Sequence, residues 1–246
     1  ATGSGVGALR LDLADDDSIV DNIGHPLGGL GAGNGSFTTG DAYAVNKPAI
    51  NLITEIFSST GANDGWILES SEESNKGGSK DSNSTTFILG DDVKDRQYRA
   101  ILHFPTGNLP DNAVVTQVIL MIRKQDEVGT DPFSTLQNIS IDIRSGVFGS
   151  FGPFSNRALQ ASDFQAPSSR NAVGVIQNNP VGGWYWSSLD NTAYPYINRV
   201  GITQFRLLFQ LGDNDNQAGD YLKFFSGNYN AAGDRPQLLV KYYVPK

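Results

Sequence analysis

The segment ISIDIRS at 139–145 constrains the fold more than any other stretch: Ile139, Ile141 and Ile143 alternate strictly with Ser140, Asp142 and Arg144. A period of two puts successive side chains on opposite faces of an extended backbone, so this stretch predicts an antiparallel strand with one dry face. The pattern recurs in TTFILG near 85–90, YRAILHF at 98–104, AVVTQVILMIRK at 113–124 and WYWSSL at 184–189. It returns in ITQFRLLFQL at 202–211, YLKFF at 221–225 and QLLVKYYV at 237–244. Runs rich in helix formers are few, while 28 Gly, 11 Pro and abundant Asn, Ser and Asp supply turns. Only ALQASDF at 158–164 reads as a short helical turn. The expectation is an all-β chain whose body, 49–246, is an antiparallel β-sandwich of jelly-roll-like form around one core.

Residues 1–48 do not share that pattern. They open on a glycine arm, ATGSGVG, followed by ALRLDL, in which Leu9, Leu11 and Leu13 alternate with Arg10 and Asp12. An acidic stop, Asp15 to Asp17, leads into the glycine-rich loop of 28–35. The leader reads as having almost no core of its own, so a lone strand at 8–13 needs a partner. Two partners are open: an edge of its own sandwich, or another copy by β-augmentation or donor-strand exchange.

The net charge of −8 and a pI near 4.7 oppose phosphate binding, and no Lys/Arg cluster is present, so nucleic acid is not an expected partner. No apolar run reaches the length of a membrane span. The start at Ala1 fits removal of a signal peptide, which predicts an extracellular or cell-surface protein. Cysteine is absent, so neither disulfides nor thiolate chemistry is available, and calcium becomes the expected staple for a secreted chain.

The loop LGDNDNQAGDYLKFFSG at 211–227 concentrates hard oxygen donors: Asp213, Asp215 and Asp220 with two asparagines. Calcium takes such ligands, and a solvated Asx-rich turn is the alternative. Glu69, Asp91 and Asp92 join the calcium set if the loops GWILESSEESNKGG and LGDD meet at one end of the sandwich. In VGGWYWSS, alternation sends Trp184 and Trp186 to one face and Tyr185 to the other. The tryptophans read either as core or as a platform for stacking on sugar rings. For catalysis there is little: His25 lies in a glycine loop and His103 inside a strand, so no Ser-His-acid triad is readable.

From about residue 65 the body resembles the secreted modules known as DNRLRE or disaggregatase-related domains, relatives of carbohydrate-binding modules. The resemblance is carried by GWILESSEESNKGG, by FILGDD, and by DRQYRAILHFPTGNLPDNAVVTQVILMIRK with Asp95, Arg96, Tyr98, Arg99, Leu102, Phe104 and Pro110. DNDNQAGDYLKFFSGN and RPQLLVKYYVP resemble the closing strands. The resemblance implies an extracellular, non-catalytic module, often with bound calcium. The expectation is therefore a calcium-stabilised protomer of a surface filament or matrix, joined head-to-tail to copies of itself through Leu9, Arg10, Leu11, Asp12 and Leu13. The alternative is a monomeric carbohydrate-binding module that meets polysaccharide through Trp184 or Trp186.

Overall fold

The computed structural model describes residues 4–149 and 158–245, and these are nearly all β. The chain forms two compact units, Ala1–Asn51 and Leu52–Lys246. The first holds a two-stranded antiparallel ribbon, β1 (Gly5–Leu9) with β2 (Tyr43–Lys47), in the register Leu9↔Tyr43 to Gly5↔Lys47.

The second unit contains β3 (Ile53–Ser58), β4 (Gly65–Glu69), β5 (Gly77–Asp81), β6 (Thr86–Asp91), β7 (Gln97–Phe104) and β8 (Val114–Val128). After a four-residue helix, Pro132–Thr135, come β9 (Ile139–Ser145), β10 (Arg170–Ile176), β11 (Trp184–Ser188), β12 (Thr203–Phe209), β13 (Asp220–Phe225) and β14 (Gln237–Tyr243). The stretch expected as a helical turn is the 3-10 turn Ala161–Phe164. All ladders are antiparallel, in the order β10-β9-β12-β7-β6-β13-β8-β14-β3, with β11 beside β8 and β4 joining β5 to β7.

One strand turns this sheet back on itself. The first part of β8 pairs with β14 and β11, whereas its last residues pair with β13. At the handover Lys223 faces Asp126 but Phe224 faces Lys124, which leaves Gln125 as an extra residue. Such a bulge bends a strand and increases its twist, so β8 serves both layers of the sandwich. Between them lie Val118, Leu120 and Ile122 of β8, Ile139, Ile141 and Ile143 of β9, and Leu102, Phe205, Phe209 and Phe224 from the facing strands. Tyr185 of β11 meets Phe224 of β13 edge-on at 5.7 Å, and Phe133 of the short helix stacks on Tyr185 at 5.4 Å.

A smaller apolar cluster lies on the opposite face of β4 and β7, where Ile67 and Ile101 pack with Phe148, Leu159, Phe164 and Ala166. The central strands are thus covered on both sides. No helix among the described residues is long and apolar enough to cross a membrane.

Candidate functional site

The leader is the first place to look. Its strand falls earlier than the leucine alternation predicts: pairing runs from Gly5 to Leu9, and Arg10, Leu11 and Asp12 lie outside any strand. Leu13 makes only an isolated bridge to Phe37. The cause is the partner. Strand β2 begins at Tyr43, residues 38–42 form no strand, and so nothing extends the ladder past Leu9. Pairing overrides the poor strand propensity of Gly5 and Gly7. Arg10 is left to pair with Asp12 at 2.6 Å.

What orders this unit is polar. The Asp15 carboxylate accepts from the amides of Asp17 (3.1 Å) and Gly35 (2.8 Å), and its carbonyl accepts from the Gly33 amide at 2.9 Å. The Gly31 amide donates to Asp17 at 3.1 Å, so the acidic stop pins the glycine loop. Asp15 is the only buried residue among those described here, and every residue of β1 and β2 is exposed. Twelve of the 23 large hydrophobic side chains exposed among the described residues belong to this unit, with Leu11 and Leu30 near 90 % accessible. Apart from Asp15 and the half-buried Asp17, its polar side chains are exposed along with those twelve apolar ones.

The acidic end of the body is the second place. Three loops meet there electrostatically: Glu72 feels Asp95, Asp215 and Asp213, while Asp213 feels Asp215, Asp95 and Glu69. Burial followed by this crowding raises the carboxyls of Asp213 and Glu72 above their usual range. At the centre Asp91 and Asp220 are cross-strand partners at the ends of β6 and β13, both buried. Gly90 makes the approach possible: its φ is +133°, and a Cβ there would lie 2.1 Å from the Asp220 carbonyl.

The two carboxylates have opposite environments. Asp220 accepts from the Thr130 amide (2.6 Å) and from the side-chain amides of Asn214 (2.9 Å) and Asn216 (2.7 Å). Burial pushes its pKa up, but these hydrogen bonds hold it below the usual carboxylate range. Neither oxygen of Asp91 has a hydrogen-bond partner of normal geometry, although the Asn214 and Asp220 amides lie near enough to soften its charge. Burial first, and then the Asp220 charge, push Asp91 up to about 7.

Of the other expected ligands, Asp92 is engaged by Arg96, accepting from its guanidinium at 2.5 Å and 3.1 Å and from its amide. Glu69 accepts from the Asn75 and Gln97 amides. Asp215 is left in the outer crowd, with a left-handed φ of 56°. Among the described residues no three His, Cys, Asp or Glu side chains converge as a metal-ligand set. The expected calcium set therefore shares one end of the sandwich without forming a closed cage.

The tryptophans face outward. Tyr185 takes the core position of β11, whereas Trp186 is 45 % exposed and Trp184 is half-buried beneath the Arg123 guanidinium, 6.0 Å from its ring. Arg123 is itself paired with Asp234. The two rings lie on one face, two residues apart.

Sequence reading missed a buried polar layer on the outer face of β9, β12 and β7. Arg206 donates two bonds to Asp142 (2.7 Å and 3.1 Å) and others to the carbonyls of Ala166 (2.7 Å), Phe164 (3.1 Å) and Asp163 (3.3 Å). Beside it Arg99 donates to the Phe164 carbonyl at 2.8 Å and stacks on the Phe164 ring; burial and the Arg206 charge lower it to about 10. Gln204 contacts His103 Nδ1 at 3.0 Å. Alternation marked these positions as the polar face, but binary patterning does not separate a solvated face from a paired, covered one. No family model matches this chain, and no curated protein matches it significantly.

Proposed function

We propose that this chain is a non-catalytic extracellular structural protein, the protomer of a filament or matrix in which the N-terminal unit of one copy docks onto the body of the next. The observation that carries this reading is the first unit's lack of an apolar core among its described residues, with loop contacts around Asp15 and twelve large apolar side chains exposed. A two-stranded ribbon is marginal alone in water, and a concentration of exposed apolar surface on a soluble chain marks an interaction site. A head-to-tail contact between unlike surfaces need not close, and then it propagates as a fibre. The resemblance of the body to secreted non-catalytic modules points the same way.

Deletion of residues 1–14 is the test. It removes β1 while leaving both apolar clusters of the body untouched. The truncated protein is expected to remain folded and to lose assembly; continued polymerisation would reject the proposal.

Calcium belongs to the same proposal as a stabiliser of the acidic end. Asp91 supports it, because a buried carboxylate with two unpartnered oxygens beside a second carboxylate has two ways to relieve its charge: a proton or a cation. Asp91 and Asp220 would hold the ion. A second function, binding polysaccharide, is favoured by the outward Trp184 and Trp186, whose rings are placed to stack on sugar faces.

A further inference from the structure

We infer that the acceptor for the N-terminal ribbon is the free edge of β3 in a second copy of this chain. This rests on the assembly reading above and names the surface it requires.

Strand β3 closes the long sheet. Its six residues pair without interruption with β14, from Ser58↔Gln237 to Ile53↔Tyr242, and among the described residues it has no other ladder. The opposite edge therefore presents backbone donors and acceptors to any strand that arrives. Native sheets blunt such edges with bulges, prolines or charges, and β3 lacks the first two and carries one charge, Glu55. The other ends of the sheet are protected. Strand β10 begins with Arg170, is bulged between Arg170 and Gly174, and holds Ala172 at a φ of 50°. Strand β5 carries Lys80 and Asp81 opposite a shifted register in β4. Strand β11 is tied to β10 by the Asp190 amide on the Val173 carbonyl.

The ribbon matches this edge in side chains and in charge. Register places Leu9, Tyr43, Val45 and Lys47 on one face of the ribbon and Val6, Ala8, Ala44 and Asn46 on the other. Strand β3 likewise has an inward face, with Phe57 buried, Glu55 half-buried beside the Tyr242 hydroxyl and Ile53 39 % exposed at the margin, and an outward face with Thr54, Ile56 and Ser58. Adding β1 beside β3 continues the face of Ile53 and Phe57 with Leu9, Tyr43 and Val45, covers Ile53, and puts Lys47 on the same face as Glu55. The copies each carry a net charge of −8 and repel one another. Strand β1 has no charged residue and β3 has one, so these two edges form a near-neutral strip on which acidic copies meet with least repulsion. The mode is β-augmentation, in which main-chain hydrogen bonds supply affinity and alternate side chains supply register.

The absence of cysteine makes the test direct. Ala8→Cys is made in one preparation, and Thr54→Cys, Ile56→Cys and Ser58→Cys in three others, all at exposed positions. The full-length proteins are mixed under mild oxidation and resolved on a denaturing gel, beside Ala8→Cys mixed with Val175→Cys on β10. Neighbouring strands bring Cα atoms within disulfide reach. The inference predicts a mixed covalent dimer for at least one β3 position, several-fold above the β10 control. Filaments without a β3 cross-link overturn the edge assignment and leave the assembly reading standing. Absence of both filaments and cross-link removes the two together. A fast-migrating monomer from the double variant Ala8→Cys/Ile56→Cys at high dilution shows a chain filling its own edge and overturns the exchange. A dimer from Ala8→Cys alone, with none at β3, shows ribbon pairing with ribbon and overturns the assignment as well.

Discussion

Asp91 shows what burial and a neighbouring charge do to a single carboxyl. Its carboxyl has a folded pKa of about 7 against an unfolded value near 4, so between those limits the folded state binds more protons than the unfolded one. Stability then falls as pH rises through that window, because the carboxyl must ionise while buried and unpartnered. Urea midpoints at pH 5 and pH 8 check this, with Asp91→Asn as the reference that removes the group's own contribution. The variant is expected to flatten that part of the pH dependence and to be more stable at pH 8 by about 1–3 kcal/mol. Under the proposed calcium role the ion takes the proton's place, so its addition at pH 8 is expected to raise the melting temperature of the wild type and not that of Asp91→Asn. An equal response in both proteins, or none, removes Asp91 from the calcium account.

Two further residues separate core from surface. Tyr185→Ala is expected to cost about 3–5 kcal/mol, as loss of a buried aromatic does. Trp186→Ala, on the outer face of the same strand, is expected to shift stability by less than about 1 kcal/mol and to lower affinity for polysaccharide if the platform is used. Isothermal unfolding distinguishes the two, and comparable losses in both would mean that Trp186 is packed. Arg206→Leu leaves the buried Asp142 without its ion-pair partner and with only the Ala172 amide, at an expected cost of about 3–5 kcal/mol.

At the scale of elements, the strands with clean alternation were legible from sequence, because one dry and one wet face is what a sandwich strand needs. Strands β6 to β9 and β11 to β14 fall within a few residues of the segments read by period alone. What was not legible has physical reasons. Strands β4 and β5 have only five residues each; β5, GGSKD, is made of glycine, serine and charged residues and is a strand only because β4 offers it a ladder. The ribbon strand lies at Gly5–Leu9 rather than along the leucines, since strand limits are set by the partner and the partner starts at Tyr43. The acidic residues were readable as a set, but the cross-strand meeting of Asp91 with Asp220 depends on long-range register. The Arg206 layer was hidden for a different reason: a covering segment turns a polar face into a buried one without altering its pattern.

For the whole molecule, the contrast between the two units is the main result. The body buries large aromatics between its layers and satisfies its buried arginine with five hydrogen bonds. The leader, held by Asp15 and Asp17, buries no hydrophobic side chain among its described residues. A chain that builds so complete a core in one unit and leaves large apolar side chains of the other exposed has the surface that the proposed assembly would use. In the proposed assembly the β3 edge, uncharged but for Glu55, is where a second copy would meet it with least opposition. The most direct measurement is negative-stain microscopy of the purified full-length protein with calcium, beside the protein lacking residues 1–14. Filaments in the first sample and monodisperse particles in the second are the predicted result; filaments in both, or particles in both, would contradict assembly through the N-terminal unit.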